Sequence, residues 1–408
     1  MKSRVFVLLM ACFDARVRAG EFPAFRPQTI DRAVGKVCYA LATADVDGDD
    51  KLDVVAATED AVLWYRNPNW ERCTVVKGAT RPDNVCLAAH DLDGDGRIDF
   101  AVGAGWGPLG LRGTETLQWI GRARGTERWE VHPVGPVPSL HRLQFGDVTG
   151  TGRKALVAVP LQGHGVEEPK WGDGPGVRIR AYPIPDRPAS VPWVSEIADE
   201  GLHTSHGLQT VDVDGDGKEE VLVAAWEGVF LLRRGATGRW NRERIGAGNQ
   251  GPGAMRGASE VKLGRLPGGR RFVATIEPWH GHEVVVYTPP TSGVGLWDRH
   301  VVDGDVAGGH ALWCVDLDGE DGDELVVGRR DGDHDLDRLP NHMGVLAYSL
   351  RAGGAADMAF DRHIIDDGGI AAEDLVAADL DGDGDIDLVA GGRETHNVRL
   401  YWNQRAVP

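Results

Sequence analysis

Residues 86–104 read CLAAHDLDGDGRIDFAVGA: a short apolar run, an acidic loop with two glycines, and a second apolar run. The loop itself, Asp91–Asp99 (DLDGDGRID), recurs as DVDGDDKLD (Asp45–Asp53), DVDGDGKEE (Asp212–Glu220) and DLDGDGDID (Asp379–Asp387). A copy with an insertion, DLDGEDGDE, runs from Asp316 to Glu324. Two eroded copies, DVTGTGRKA from Asp147 and GRLPGGRRF from Gly264, keep the glycines and lose the acids. Successive copies begin 46 to 65 positions apart, the length of one four-stranded propeller blade with its loops.

Each copy sits in the same context. An apolar run precedes the loop (YALATA, LQTV, LWCV) and another comes after it (VVAA, VLVAA, LVVG). A third run is aromatic or β-branched (VLWYR, VFLLR, VRLYW), and a fourth opens on an aromatic (WERCTVV, WNRERIG, FDRHIID). All have strand length and are bounded by Gly, Pro and Asp. Seven repeats begin, but the last ends at its third strand, Val398–Gln404. The missing fourth strand is matched in pattern by Phe25–Asp31, FRPQTID. The spacing therefore predicts an all-β chain, a single seven-bladed β-propeller over 22–404 whose N-terminal strand completes the last blade. Such closure removes the two exposed sheet edges of an open stack.

Composition agrees with a large globular core: 408 residues, 42% apolar and 26% charged. With 44 Lys+Arg against 62 Asp+Glu the formal net charge is −18, which repels phosphate backbones and anionic lipid, so nucleic acid is not an expected partner. The cysteines (Cys12, Cys38, Cys73, Cys86, Cys314) are odd in number and lack metal-ligand spacing. Lys2 and Arg4 precede the apolar run Val5–Phe13, with Val17-Arg18-Ala19 beyond. Residues 1–19 resemble a secretory signal, and Leu9–Cys12 also resembles a lipoprotein box. The expected location is secreted, periplasmic or lipid-anchored. No other run approaches the roughly 18 apolar residues of a membrane helix.

In the loops, carboxylates at positions 1, 3, 5 and 9 and the carbonyl at position 7 can converge on one hard cation, and calcium takes six to eight such oxygens. The expected ligands are Asp45, Asp47, Asp49 and Asp53; Asp91, Asp93, Asp95 and Asp99; Asp212, Asp214, Asp216 and Glu220; Asp316 and Asp318; and Asp379, Asp381, Asp383 and Asp387. These are not EF-hands, because position 12 is apolar (Ala56, Val102, Val223, Ala390) where a bidentate Glu is required. The competing reading is an acidic hairpin turn without metal.

These loops and strands resemble the FG-GAP/VCBS repeat family, whose calcium-loop propellers include the integrin α headpiece; the resemblance covers about residues 25–404. It implies structural calcium. It leaves function open, since the fold hosts adhesion modules and enzymes alike.

If each acidic loop joins the first and second strands, the residue six before its first acid stands at the opposite mouth of the channel. That position holds Tyr39, Val85, His141, His206, Ser259, His310 and Glu373. Three histidines and a glutamate suit zinc, manganese or a similar ion better than calcium, so these four are the candidate ligands of a second metal. A hydrated channel with water-bonded histidines is the competing reading. Loops on the same face carry His164, Trp279-His280-Gly281-His282, Arg329, Arg330, His334, His342, Arg393 and His396. Trp106, Trp171, Trp226 and Trp279, with His280, are candidates for holding a sugar face. His90, His132, His300 and His363 fall on strands and read as packing residues.

In layout the chain resembles the propeller of the aldos-2-ulose dehydratase family, which dehydrates anhydrofructose-type sugars at a metal site. Carried over by position, His141, His206 and His310 would be metal-side residues, and His282 and His334 candidate bases, with Arg329 and Arg393 beside them. No cupin-like sequence comes after Gln404, so that family's later isomerisation is not expected. The expected activity is a carbohydrate lyase or dehydratase working by metal-assisted β-elimination on a keto-sugar or uronic-acid-type substrate, small or oligomeric. The alternative is a non-catalytic, calcium-stabilised propeller that binds protein or glycan.

Overall fold

The second strands of the repeat, apolar through their middles, such as Asp53–Thr58, Ala155–Pro160 and Glu324–Arg329, are buried at every position. A strand covered on both faces needs no polar alternation, so each must lie inside a stack of sheets. The outer strands show the opposite pattern: Glu71–Lys77 and Trp240–Gly246 are mostly exposed. This gradient from the second strand outward is that of blades packed face to face around an axis.

The computed structural model describes residues 22–106, 115–163, 165–166, 171–252, 255–293, 295–330, 343–351 and 358–405. They form seven four-stranded antiparallel sheets. The innermost strands are Cys38–Ala44, Cys86–His90, Leu140–Gly146, Gly207–Val211, Glu260–Arg265, Gly309–Val315 and Ala372–Ala378, one per blade in chain order. Each packs on the next, and that of blade seven packs on that of blade one. In blade seven the fourth position is taken by Phe25–Asp31, antiparallel to Val398–Asn403 with Phe25 opposite Asn403 and Thr29 opposite Arg399. Trp402 Nε1 donates to Gln28 Oε1 across that pair at 2.8 Å. The leader-like residues 1–19 lie outside the described residues.

The acidic loops join first and second strands in every blade that keeps them. Their position-9 acid opens the second strand, and its carboxylate accepts the N–H of position 2. Val46 donates to Asp53 (3.0 Å), Leu92 to Asp99 (2.9 Å), Val213 to Glu220 (3.0 Å), Leu317 to Glu324 (2.8 Å) and Leu380 to Asp387 (3.1 Å). One detail departs from the strand pattern. In blades one, three and five the aromatic stands just outside the outer strand, which opens at Glu71, Glu196 and Asp298 rather than at Trp70, Trp193 and Trp297. Trp70 has φ 57°, so it belongs to the turn.

Blade five contains a buried charge cluster with a measurable role. Glu277 is fully buried, and its carboxylate takes Arg299 Nη2 at 2.7 Å, Tyr287 Oη at 2.7 Å and Thr275 Oγ1 at 2.9 Å. Removing one partner of a buried pair strands the other charge. Arg299→Ala is therefore expected to cost about 3 kcal/mol of stability, read from denaturant melts; a loss under about 1 kcal/mol would mean that the pair behaves as a surface bridge.

Candidate functional site

At the mouth opposite the acidic loops, residues at the heads of the inner strands of blades three, four and six and one loop from blade five meet. His141, His206 and His310 are all buried. The ring centroids of His141 and His206 lie 4.6 Å apart, and those of His206 and His310 5.1 Å apart. The loop 278–282, closed by the pair Glu277–Glu283, brings His280 over them. His280 Nε2 lies 3.1 Å from His206 Nε2. His206, His280 and His310 offer ligand nitrogens that all lie within 4.8 Å of one another. Two tetrahedral zinc ligands with Zn–N of about 2.0–2.1 Å stand roughly 3.4 Å apart, so the His206–His280 spacing already suits a shared ion.

Neighbouring acceptors set the orientation of two rings. His310 Nδ1 faces the Glu373 carbonyl oxygen at 2.6 Å. His206 Nδ1 faces Glu260 Oε1 at 2.9 Å and the Ser259 carbonyl at 3.2 Å. Donation from Nδ1 leaves the Nε2 lone pair available on both rings, the arrangement of a metal-binding imidazole with a fixed second contact. His280 differs: Arg330 Nη2 approaches its Nδ1 at 3.3 Å. To ligate through Nε2, His280 would carry its proton on Nδ1, so Arg330 would have to turn aside. At His141, Arg142 Nη1 donates to Nδ1 at 3.0 Å, which puts the ring proton on Nε2.

Burial, reinforced by Arg142 and the neighbouring rings, holds His141 well below the usual imidazole range. Burial and Arg330 do the same for His310. His206 is also lowered, by burial first and Arg142 second, against the opposing pull of Glu260. Neutral imidazole is the ligating form. Glu260 itself is pushed up by burial, but Arg142 and His206 outweigh this and bring it to about 2. Deeper in the channel, burial raises Asp374 to about 6 despite Arg142.

The other sequence candidates separate clearly. Glu373, equivalent in position to the histidines, is not in their nitrogen cluster; its two oxygens take Arg393 Nη1 at 2.8 Å and Arg330 Nη1 at 3.4 Å. Arg393 also lies over the Tyr39 ring at 5.9 Å. Arg329 points away, donating to the Met343 carbonyl and facing Asp367 at 3.8 Å. His282 is exposed and makes no hydrogen bond, ion pair or ring contact with the clustered histidines. His334, with His164 and His342, lies outside the described residues.

Among the tryptophans, Trp106 meets His141 edge-on at 5.1 Å and Trp279 stacks on His280 at 4.4 Å. Trp171 lies 5.1 Å from Trp279. Trp279 Nε1 is buried without a hydrogen-bond partner among the described residues. Trp226 rests instead against Gly172, where a Cβ would meet its indole nitrogen at 2.4 Å. On the opposite face, positions 1, 3 and 9 of the acidic loops converge: Asp45/Asp47/Asp53, Asp91/Asp93/Asp99, Asp212/Asp214/Glu220 and Asp316/Asp318/Glu324 each place carboxylate oxygens within 4.8 Å of one another. Position 5 stands outside these groups, and Asp95 pairs with Arg97 at 2.9 Å.

Residues 114–290 match the family model for the β-propeller domain of aldos-2-ulose dehydratase, and 45–102 match that of the FG-GAP-like repeat. A curated aldos-2-ulose dehydratase from Phanerodontia chrysosporium is 29% identical over 245 residues, 55% of this chain and 26% of the relative. This chain resembles the dehydratase propeller. The match spans about a quarter of the relative's length, so the relative's activity does not transfer with it. The matched stretch includes His141, His206 and His280, while His310 and Glu373 fall beyond it. Solved structures share the fold at low identity. An Agrocybe aegerita lectin structure, titled for recognition of non-reducing terminal N-acetylglucosamine, has TM-score 0.50 and 14% identity, covering 90% of this chain and 85% of its own. A structure of BBS1N in complex with ARL6DN has TM-score 0.55 and 13% identity, covering 95% and 98%. Among the described residues no helix is long and apolar enough to cross a membrane.

Proposed function

We propose that this propeller is a carbohydrate lyase or dehydratase with its site at the histidine-lined mouth of the channel. The observation that carries the proposal is the convergence of the His206, His280 and His310 nitrogens from the heads of two inner strands and a loop. Core packing does not require imidazoles there, and two of the three rings have their Nδ1 atoms fixed by second contacts. These residues fit a zinc- or manganese-type ion, with His280 joining once Arg330 moves. Such an ion supplies Lewis acidity to a sugar carbonyl, which acidifies the adjacent C–H.

The chain's own residues account for the rest of the site. Trp279 and Trp171 offer an aromatic surface for a sugar face. His141, with its proton on Nε2, is a hydrogen-bond donor toward developing negative charge on oxygen. Glu373 directs the Arg393 guanidinium at the mouth through a 2.8 Å contact, while its longer 3.4 Å contact with Arg330 lets that side chain turn from His280. The proton leaving carbon passes to a base, for which His282 is the candidate among the described residues; the β-leaving group then departs.

The acidic loops support a separate role for calcium. In the eroded copy, Asp147 alone organises the turn by accepting from Gly150 and Thr151, with Thr149, Thr151 and Ala155 at positions 3, 5 and 9. The turn thus needs one acid, whereas the intact copies crowd three onto one point, an arrangement a bound cation compensates. A glycan-binding role without chemistry is the second reading, and the paired Trp171 and Trp279 favour it. The deciding experiment incubates the metal-loaded protein with keto-sugars and uronic-acid oligosaccharides. A new ultraviolet absorbance from an unsaturated product is expected. Binding of these sugars with no such absorbance would leave the lectin-like reading.

A further inference from the structure

A polar cavity of about 450 Å³ lies on the same face as the histidines, at the outer part of blade seven, lined by Thr29, Arg32, Gly369, Thr395, Asn397 and Arg399. In a chain of net charge −18 it holds one guanidinium without a carboxylate partner, that of Arg32, and a second, that of Arg399, balanced by the buried Asp366. Thr29 and Arg399 are cross-strand partners, and the register shifts between Thr29 and Asp31, a bulge of the kind that redirects side chains at a sheet edge. Arg399 pairs with the buried Asp366 through Nη1 at 2.7 Å, while its Nε is buried without a partner. Asp366 is already occupied by Tyr401 Oη at 3.0 Å and the Gly369 N–H at 2.6 Å. Position 369 must be glycine for this geometry, because a Cβ there would sit 1.5 Å from Arg399 Nη1.

The cavity therefore has donors to spare. The exposed Arg32 guanidinium makes no hydrogen bond or ion pair among the described residues, and neither does the Thr29 hydroxyl. Thr395 Oγ1 is committed to Asn397 Oδ1 at 2.7 Å, and Asn397 Nδ2 gives one of its two hydrogens to the Gly369 carbonyl. A guanidinium in such a setting favours a planar or tetrahedral oxyanion. The volume exceeds what a bare sulfate or carboxylate fills and falls in the range of small-ligand sites. Thr395 lies two residues beyond Arg393, whose guanidinium pairs with Glu373 at the candidate site, so one turn links the two places.

We propose that this cavity is a subsite for an acidic sugar, with Arg32 and Arg399 taking the carboxylate or sulfate group carried on the ring. The proposal rests on the carbohydrate reading above and adds the charge class of the sugar. It is tested by calorimetric titration of the intact protein at low ionic strength with glucuronate, using glucose and inorganic sulfate as the comparison ligands. Glucuronate is expected to bind and glucose not. Arg32→Ala should weaken glucuronate about tenfold, Arg32→Lys should retain part of the affinity, and Arg124→Ala, an exposed arginine elsewhere, should change nothing. Sulfate binding more tightly than glucuronate would make this a site for a free oxyanion and overturn the sugar assignment. Equal binding by Arg32→Ala, or equal binding of glucose, would overturn the site itself. His206→Ala must keep glucuronate binding, since its loss would place the ligand at the histidines instead. A failed search for an unsaturated product would sink the lyase reading and leave these outcomes untouched.

Discussion

Replacing His206 or His310 with alanine is expected to remove about one equivalent of bound transition metal, measured by elemental analysis of protein loaded with zinc or manganese and then desalted. Any eliminating activity should fall by at least ~10²-fold, the scale on which one preorganised electrostatic contact acts. His206 supplies a nitrogen 3.1 Å from that of His280, so its loss removes that pair at ligand spacing. The fold should survive, because the ring faces the channel and its neighbours His141, His280 and His310 pack around it at centroid distances of 4.6 to 5.1 Å. The finer test is Glu260→Gln. That change keeps a hydrogen-bond acceptor beside His206 Nδ1 and removes the charge. Outer contacts to ligating histidines are worth 10- to 100-fold in metal affinity, and a loss on that scale is the expected outcome, with some loss of stability as well because Glu260 also takes Arg142 Nη2 at 3.1 Å. Stoichiometric calcium as the sole metal in wild type and both alanine variants would defeat the catalytic reading.

The architecture was legible because the repeat is written in both hydrophobicity and turn chemistry. The acidic loop marks the first turn of each blade, and the aromatic or β-branched run marks its third strand. Pairing of Phe25–Asp31 with Val398–Asn403 could be anticipated from pattern alone, since a missing fourth strand leaves an unpaired edge. The site was only half legible. Position six before each loop is set by strand register, which is why His141, His206 and His310 share one mouth. His280 arrives on a turn, and no periodicity specifies how far a five-residue loop reaches across a channel. Its signal was the Trp-His-Gly-His cluster between two strands, read as sugar-binding rather than as part of a nitrogen group. Glu373 shows the opposite problem. Its register is that of the histidines, but Arg330 and Arg393, both from neighbouring loops, claim its oxygens. Register places a Cα; the partners of a charge depend on which loops come near.

Calcium removal should produce the largest change in stability. Five acidic loops keep an acid at positions 1, 3 and 9, and in the loops opening at Asp45, Asp91, Asp212 and Asp316 those carboxylates converge on the face opposite the histidines. Burial raises the position-9 acids, Asp99 to about 7 and Glu324 to about 8, with further upward pressure from the other acids of the same loop. Stripped of a cation, each loop holds like charges at a point where water cannot fully screen them. A ligand at about 100 times its dissociation constant stabilises by about 2.7 kcal/mol per site, so five loops together amount to more than 10 kcal/mol. For a chain of this size that is a fall in melting temperature on the order of 10 °C or more on exhaustive chelation, restored by calcium and poorly by magnesium, which prefers rigid octahedral sites. The eroded loop from Asp147 is an internal control, since it turns without acids at positions 3, 5 and 9. Asp93→Asn should remove about one fifth of the calcium-dependent shift, and Thr149→Ala in the eroded loop none of it. A melting curve indifferent to chelator would mean that the crowded carboxylates are tolerated without an ion, and calcium would then have no part in holding the blades.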